Sequence, residues 1–268
     1  MNITEITLQY YIDVLDQHYT LLLWGIFLAA AVVFVILTFI SAPYGKQSRE
    51  GWGPGLNYRL AWILWELPSF AVFGGVYGLG EHRGSPAALI LFILWEIHYF
   101  HRTFIYPFRI HPKPGVSSPI ILLIFACAFN ALNSYLNARW LSHFGELLWQ
   151  DEWLSDTRFI LGIVLFVSGF VMAKRADAIL RNLRKSGDCG YKIPQGWPYQ
   201  RLSCPNYVGE MVEWLGFAIA SWSWAGAAFF VFTFANLGPR AIANHRWYQE
   251  YFGSQYPVER KALIPWSF

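Results

Sequence analysis

The sequence predicts an all-α membrane protein with seven transmembrane helices, on three observations. Of its 268 residues, 55% are hydrophobic and only 14% are charged, whereas a soluble domain carries about 25% charged residues. The hydrophobic residues form runs of the length that crosses a bilayer, about 20 residues. The basic residues alternate between successive loops. The composition excludes disordered, collagen-like and coiled-coil proteins, and a net charge of +3 is too small to indicate nucleic acid as a partner.

We interpret seven hydrophobic runs as transmembrane helices, and the sixth is the shortest. They cover residues 20–40, 58–80, 86–106, 118–138, 157–173, 206–220 and 225–248. We expect the first run not to be a cleavable signal peptide, because Glu5, Asp13 and Asp16 precede it where a signal peptide is positive. The last two runs are separated by an aromatic turn at residues 221–224.

The distribution of Lys and Arg sets the orientation of these helices. Of the 20 basic residues, 17 fall on alternate loops, and cytosolic loops carry the excess of positive charge. We therefore expect the N-terminus outside and the C-terminus in the cytosol. We expect residues 1–268 to form a single multi-pass domain, monomeric in the lipid bilayer, in the endoplasmic reticulum of a eukaryote or the inner membrane of a bacterium.

The second run carries an acid near its centre. Glu66 lies in an otherwise apolar helix, where a carboxylate costs about 3 kcal/mol. It must therefore face the interior of the bundle and either find a partner or take up a proton. A functional acid and a bond to a neighbouring helix both fit this position. Pro68 removes a backbone donor nearby, which predicts a kink and an exposed carbonyl.

The cytosolic end of the third run is rich in polar residues. Tyr99, Arg102 and Tyr106 recur at spacings of three and four, which puts them on one face of a helix. His98 and His101 could suggest a metal, but membrane di-iron hydroxylases need a large cluster of histidines, and the 7 of this chain are scattered. We therefore predict no metal site.

Polar residues also mark the last two runs. Glu210 and Glu213 lie three residues apart at the start of the sixth run, where acids also simply favour the helix dipole. Arg240, Asn244 and Tyr248 are spaced by four on the seventh run. They predict a polar stripe where an apolar one would be expected.

The segment between the fifth and sixth runs, residues 174–205, is polar and basic. Asp177, Arg181 and Arg184 share one helical face, after which Gly and Pro interrupt the pattern. A ligand-binding segment and a basic loop that faces lipid headgroups fit this composition equally well.

Together these residues predict a carboxyl and a phenol inside a lipophilic cavity, below a cytosolic mouth lined by charged and amide side chains. An apolar substrate with one carbonyl group suits the cavity, and a polyanionic dinucleotide suits the mouth. The glycine-rich stretch at residues 51–55 does not fit the G-x-G-x-x-G fingerprint and precedes no βαβ unit. A bound nucleotide would therefore not use a Rossmann fold.

Several motifs of this chain resemble the steroid 5α-reductase family of integral membrane, NADPH-dependent reductases. The matching strings are ELPSF at 66–70, HYFHRT at 98–103, ILRNLRK at 179–185, YKIPQG at 191–196 and RKALIP at 260–265, together with Asn206, Glu210, Glu213 and Trp214. They occur in order between residues 44 and 268, whereas the first 40 residues show no match beyond a hydrophobic run.

The resemblance implies a seven-helix fold in which NADPH enters from the cytosol and a 3-oxo-Δ4 steroid lies in the cavity. Hydride would pass from the nicotinamide to C5 and a proton would be added at C4, giving a 3-oxo-5α-steroid. The resemblance assigns Glu66 and Tyr99 as catalytic donors to the 3-oxo oxygen, where negative charge develops. Glutamate can donate only when it is protonated.

The same motif matches imply the binding residues. The cofactor would be held or flanked by Trp62, Arg102, Tyr106, Asp177, Arg181, Arg184, Tyr191, Asn206, Glu210, Arg240, Asn244 and Tyr248. The arginines would bind the phosphates, including the 2′-phosphate that distinguishes NADPH from NADH. Trp65, Phe129 and Phe232 would contact the substrate.

Departures from the family pattern leave the identity of the substrate open. Trp65 replaces the Gln that usually precedes the glutamate, and Ala173 stands where the family often has Asn. Ala243 and Asn244 replace part of a histidine-rich run, and Asn236 takes the place of a common aromatic residue. The alternative substrates are other lipid α,β-unsaturated carbonyl compounds, a polyprenal or a trans-2-enoyl-CoA.

Other functions fit the sequence less well. A related bundle serves isoprenylcysteine methyltransferases, which bind a sulfonium cofactor and would not need NADPH. A retinal-binding receptor needs a Lys in the last run, and residues 225–248 contain none. A transporter predicts polar residues throughout the membrane and often a repeat, whereas here they gather at the cytosolic end. The sequence therefore predicts an enzyme.

Overall fold

The computed structural model describes residues 3–40, 53–110, 117–183 and 190–263, most of them helical. The α-helices are α1 Ile3–Gln17, α2 Tyr19–Phe39, α3 Tyr58–Gly78, α4 Pro86–Phe100, α5 Tyr106–Arg109, α6 Ile120–Arg139, α7 Thr157–Asn182, α8 Pro205–Ser221 and α9 Trp224–Phe252. Two π-helices, His101–Ile105 and Trp140–Phe144, and three 3₁₀ helices, Glu146–Trp149, Asp151–Ser155 and Gly253–Gln255, complete the helical part. Two short strands, β1 Gly55–Asn57 and β2 Ser117–Pro119, pair antiparallel.

Within these described ranges, 6 helices are long and apolar enough to cross a membrane. They are Tyr19–Phe39, Tyr58–Gly78, Pro86–Arg109, Ile120–Phe144, Thr157–Asn182 and Trp224–Gln255. The prediction of an all-α, multi-pass membrane protein is therefore confirmed. Helix α8 has 17 residues, which makes it shorter than these six, so the seventh span stays a prediction.

Two helices continue beyond their predicted ends. The fifth run was expected to end at residue 173 and the seventh at residue 248, whereas α7 ends at Asn182 and α9 at Phe252. The polar residues that follow these two hydrophobic runs keep the helical conformation. The turn expected at residues 221–224 is present, because Trp222 adopts a positive φ of 44° and the Ser223 side chain caps α9.

Helices α7 and α8 pack with their backbones in close contact. A Cβ atom on Gly209 would lie 2.6 Å from the backbone nitrogen of Ala173, and one on Gly216 would lie 2.4 Å from a backbone nitrogen of α7. Small residues allow such approach between membrane helices. Ala173 therefore packs against α8, and the same contact brings Asp177 beside Asn206.

Proline ties α3 to α6. Pro68 lies inside α3 and lacks the N–H that would bond to the carbonyl of Leu64. Cys127 donates to that carbonyl at 3.3 Å, and the Asn130 side chain donates to the carbonyl of Trp65 at 2.5 Å. The exposed carbonyl expected from the sequence is thus satisfied by the neighbouring helix.

A buried aromatic cluster packs against one side of the site. The Trp95 ring is fully buried and its centroid lies 4.3 Å from that of Phe73, 5.2 Å from that of Trp214 and 5.4 Å from that of Phe229. Its indole nitrogen donates to the carbonyl of Ser69 at 2.9 Å. This cluster joins α3, α4, α8 and α9 on one side of the site.

Candidate active site

A cavity of about 710 Å³ lies among α2, α3, α4, α6, α7, α8 and α9. This volume is in the range of small-molecule sites in proteins, about 300–1,000 Å³. Phenyl and indole rings line one end. Arginine, carboxylate and amide side chains line the other, so the two ends suit ligands of different polarity.

Every predicted site residue that the structure describes lies on the wall of this one cavity. They are Trp62, Trp65, Glu66, Tyr99, Arg102, Tyr106, Phe129, Asp177, Arg181, Tyr191, Asn206, Glu210, Phe232, Arg240, Asn244 and Tyr248. Arg184 lies outside the described residues. Residues from seven separate parts of the sequence are therefore brought to one place.

Glu66 is paired with Arg102. The carboxylate is 5% exposed, and its Oε1 accepts hydrogen bonds from Arg102 Nη2 at 2.7 Å and Nε at 3.0 Å. Arg102 Nη1 donates to Glu210 Oε1 at 2.8 Å. The sequence left two possibilities for Glu66, a hydrogen-bond partner or protonation, and the structure shows the partner. Oε1 is consequently an acceptor here, and only Oε2 remains for a ligand.

The segment that carries Arg102 is a π-helix, not the continuous α-helix expected from the spacing. The wider turn lets the Arg102 carbonyl accept a hydrogen bond from the Trp62 indole at 3.1 Å. The Arg102 guanidinium lies 5.0 Å from the Trp62 ring and 5.9 Å from the Tyr106 ring. Pro107, which lacks an N–H, lies two residues after the end of this π-helix and is a sequence signal for the irregularity. Such π-turns are frequent at functional sites.

Tyr99 lines the cavity, and contacts with neighbouring rings hold its side chain. Its side chain is 4% exposed, and its ring lies 5.0 Å from the Trp95 ring and 5.8 Å from the Trp214 ring, nearly parallel to the latter. These contacts hold the ring in place independently of its hydroxyl group. The phenol can therefore donate to a ligand without a change in packing.

The two acids of α8 face different surroundings, although the sequence put both at the mouth. Glu210 lines the cavity. Glu213 is fully buried behind the cavity wall, and its Oε1 lies 2.6 Å from His98 Nδ1. Its Oε2 is buried and has no hydrogen-bond partner in the part of the chain that the structure describes.

The polar end contains a bridging phenol that the sequence did not single out. The Tyr207 hydroxyl accepts from Arg240 at 3.3 Å and from Asn244 at 3.4 Å, which links α8 to the polar stripe of α9. Asn206, one residue earlier, donates to Asp177 at 3.2 Å. The only signal for Tyr207 was its position next to Asn206.

Arg181 supplies a cationic group suited to an anion. Its guanidinium lies 5.9 Å from the Tyr106 ring, and its Nη1 is buried without a hydrogen-bond partner among the described residues. A buried N–H group of this kind normally has an acceptor, and a phosphate oxygen is a strong one for guanidinium. The donor set of the polar end therefore fits a phosphorylated ligand.

The apolar end is built from aromatic rings. Phe129 on α6 and Phe232 on α9 stack with centroids 3.7 Å apart and an interplanar angle of 19°. Trp65 on α3 contacts the rings of Trp62 and Tyr58, with centroids 5.1 Å and 6.3 Å away. Between residues 3 and 263, the described parts of the chain hold no group of three or more His, Cys, Asp and Glu side chains placed to bind a metal ion.

The fold is that of a multi-pass helical membrane protein, and its cavity joins an aromatic end to an arginine-rich end. The sequence model of the family described as "3-oxo-5-alpha-steroid 4-dehydrogenase" matches residues 116–268. The chain belongs to that family, whose members are oxidoreductases acting on CH–CH bonds. This membership confirms the prediction of an enzyme and the family resemblance.

Curated relatives match over most of their length. A protein named steroid 5-alpha-reductase DET2 from Gossypium hirsutum is 42% identical over 253 residues, which cover 94% of this chain and 97% of the relative. The Bos taurus protein named 3-oxo-5-alpha-steroid 4-dehydrogenase 1 is 40% identical over 238 residues, 87% of this chain and 91% of the relative. Its Homo sapiens counterpart is 40% identical over 228 residues, 84% and 86% of the two chains.

Proposed function

We propose that the protein reduces the Δ4 double bond of a 3-oxo-Δ4 steroid with NADPH and gives the 3-oxo-5α-steroid. The observation that carries the proposal is that Glu66 and Tyr99 line one cavity with an aromatic end and an arginine-rich end. The names of the relatives supply the substrate class. The two ends match the chemistry of a steroid and of a dinucleotide phosphate.

When bound, NADPH would supply the hydride that adds to C5 of the substrate. Hydride addition to an enone moves negative charge onto the carbonyl oxygen, so donors placed there stabilise the transition state. In the proposal the Tyr99 hydroxyl is one such donor. The packing of its ring against Trp95 and Trp214 supports this role because it fixes the donor before the substrate arrives.

Glu66 is the second donor in the proposal. Its Oε1 accepts from Arg102, so a proton on Oε2 would be free to donate to the same carbonyl oxygen. Arg102 also binds Glu210.

The polar end would hold the cofactor. Arg181, Arg184 and Arg240 would bind phosphates, including the 2′-phosphate. The Nη1 of Arg181, which has no hydrogen-bond partner among the described residues, supports this assignment. The adenosine and nicotinamide parts would be flanked by Trp62, Arg102, Tyr106, Asp177, Tyr191, Asn206, Glu210, Asn244 and Tyr248. Trp65, Phe129 and Phe232 would enclose the substrate.

Seven spans with the C-terminus in the cytosol belong to the same proposal. Helix α8, with 17 residues, is at the short end of the range that crosses a bilayer, about 17–25 residues. Its close contact with α7 supports insertion beside that helix. This orientation puts the arginine-rich end on the cytosolic side, where NADPH is found, in the endoplasmic reticulum or a bacterial inner membrane.

An NADPH oxidation assay on the purified protein tests the proposal. NADPH oxidation is followed with testosterone, progesterone, a polyprenal and an enoyl-CoA, and the products are identified by mass spectrometry. The expected result is steroid-dependent oxidation, with deuterium from 4-deuterated NADPH found at C5. If only the polyprenal or the enoyl-CoA is reduced, the substrate is another lipid enone. If activity requires S-adenosylmethionine and not NADPH, the proposed function is wrong.

A further inference from the structure

A buried acid–base pair lies directly behind the cavity wall. His98 on α4 and Glu213 on α8 are 3% and 0% exposed, with Nδ1 and Oε1 separated by 2.6 Å. Burying two ionisable groups costs free energy that an apolar contact between the same helices would avoid. The pair therefore calls for an explanation beyond packing.

Only one member of the pair reaches the cavity. His98 lines it, whereas Glu213 does not. Since Nδ1 is held by Glu213, the ring can exchange a proton with a ligand only through Nε2. The ring centroid of His98 lies 4.9 Å from that of Tyr99, which puts the imidazole next to the proposed carbonyl donor.

The charges around the pair come from three elements. Burial opposes a positive charge on His98, as do Lys174 on α7 and Arg102 and His101 on the π-helix. A carboxylate on Glu213 of α8, with Oε1 2.6 Å from Nδ1, favours one. Among the described residues, His98 is the hydrogen-bond partner of the Glu213 carboxyl, because Oε2 of Glu213 is buried and has none. A carboxylate in that position stabilises an imidazolium, as the buried acid of a catalytic triad does.

The reaction needs a proton that the other residues do not deliver. Hydride addition at C5 gives an enolate, and C4 must then gain a proton. Glu66 and Tyr99 act on the carbonyl oxygen. We propose that His98 is the general acid that protonates C4, and that Glu213 positions it and balances its charge; this inference rests on the proposed function.

The step balances with one proton. Before it, each ring nitrogen of His98 carries a proton and Glu213 is a carboxylate. The Nε2–H bond breaks, a C4–H bond forms with the electron pair of the enolate, and the C3 carbonyl is restored. Neutral His98 keeps its Nδ1 proton against Glu213 and regains the Nε2 proton from water when the product leaves.

His98→Gln and Glu213→Gln test the two roles. General acid catalysis contributes about 10²–10⁴-fold to a rate, so we expect turnover to fall by about that factor in His98→Gln and by less in Glu213→Gln. Proton transfer should become rate-limiting. The solvent isotope effect in D₂O should therefore rise, and the isotope effect of 4-deuterated NADPH should shrink. The wild-type turnover should also fall as the pH rises and His98 loses its proton. The pH profile of His98→Gln should lack this decrease.

Two measurements separate this role from a structural one. Imidazole added to His98→Ala should restore turnover in a concentration-dependent way. Nitrogen-15 NMR of the ligand-free protein, with the His98 signals assigned from His98→Gln, should show two protonated ring nitrogens in the wild type and one in Glu213→Gln. This second readout does not depend on activity.

Glu96→Gln is the matched control. Glu96 lies on α4 like His98, but it faces Gly74 of α3 and is not on the cavity wall, so its turnover and isotope effects should equal those of the wild type. Lowered turnover in His98→Gln with unchanged isotope effects and no rescue would overturn the inference alone. A wild-type protein that reduces no enone would overturn the proposed function and this inference with it.

Discussion

Glu66 and Arg102 form an ion pair across α3 and the π-helix, with Oε1 of the acid 2.7 Å from Nη2 of the guanidinium. The same guanidinium lies 2.8 Å from Glu210 of α8. Three helical segments are thus joined at the boundary between the aromatic and arginine-rich ends of the cavity. A change at Glu66 should therefore affect both the reacting carbonyl group and the cofactor mouth.

Glu66→Gln should abolish most of the activity without unfolding the protein. Glutamine keeps the size of the side chain and an acceptor for Arg102, but it cannot share an acidic proton. Loss of one donor to a developing oxyanion costs about 10²–10³-fold in kcat, which steady-state kinetics on the purified variant would measure. Glu96→Gln should retain the wild-type rate. A Glu66→Gln enzyme within about threefold of the wild type would contradict the role given to this acid.

Tyr99→Phe should lower turnover by a similar factor, about 10²–10³-fold, and leave the melting temperature unchanged. The ring contacts with Trp95 and Trp214 do not involve the hydroxyl group. Tyr77→Phe is the control, because the Tyr77 hydroxyl makes a structural hydrogen bond away from the cavity. It donates to the carbonyl of Arg83 at 2.7 Å. That variant should lose about 1 kcal/mol of stability and keep its turnover. Equal effects of the two changes would exclude a specific role for Tyr99.

Arg181→Gln should weaken NADPH binding by about 10- to 100-fold, the effect of losing a hydrogen bond to a charged group. The quenching of tryptophan fluorescence by the nucleotide gives the Kd. A loss confined to NADPH would assign Arg181 to the 2′-phosphate, and an equal loss for NADH would assign it to the pyrophosphate. Arg83→Gln should change the affinity for neither NADPH nor NADH, because Arg83 donates to the carbonyl of Gly78 outside the cavity. Unchanged affinity in Arg181→Gln would refute the phosphate site.

Features set by solvation could be predicted from the sequence. A carboxylate in an apolar helix must face inward, so the inward orientation of Glu66 followed from its neighbours alone. A spacing of four puts Arg240, Asn244 and Tyr248 on one helical face, and all three line the cavity. The all-α, multi-pass architecture followed from the hydrophobic runs in the same way.

Features set by helix packing could not be predicted. Glu210 and Glu213 are three residues apart, and only the position of α4 beside α8 decides that Glu213 meets His98. The π-helix breaks the 3.6-residue period on which the spacing argument depends, so the pairing of Arg102 was not visible in the sequence. Tyr207 reaches Arg240 only because α8 and α9 cross there.

The N-terminus of α7 gives a stability effect that depends on pH. The guanidinium and backbone N–H of Arg158 donate to Asp156, which lowers the pKa of this carboxyl from 3.8 to about 2. A lowered pKa stabilises the folded protein above the ordinary value, and the contribution is lost as the pH falls through the lowered one.

Asp156→Asn keeps an N-cap acceptor and removes this charge. The melting temperature should therefore be lower than that of the wild type by a constant amount above about pH 5, and the difference should shrink as the pH falls and vanish below pH 2. Scanning fluorimetry in detergent across this range would measure it. A difference that stays constant down to pH 2 would mean that the charge of Asp156 has no part in it.

The close contact of α7 and α8 should be the feature least tolerant of added volume. A Cβ atom on Gly216 would lie 2.4 Å from the backbone nitrogen of Phe166 and 2.5 Å from the carbonyl oxygen of Gly162, and backbone atoms cannot move aside as a side chain can. Gly216→Ala should therefore force the helices apart and cost about 1–3 kcal/mol of unfolding free energy. It should also weaken NADPH binding, because Asp177 and Asn206 lie on the same pair of helices.

Gly75→Ala is the matched control for this contact. Gly75 lies inside α3 with no atom within 4 Å of the position of a Cβ, and alanine favours a helix over glycine by about 1 kcal/mol. This variant should be as stable as the wild type or more so, as measured by denaturant titration in detergent. If Gly216→Ala were equally stable, the two helices would be further apart than the glycines indicate, and the placement of Asp177 beside Asn206 would have to be revised.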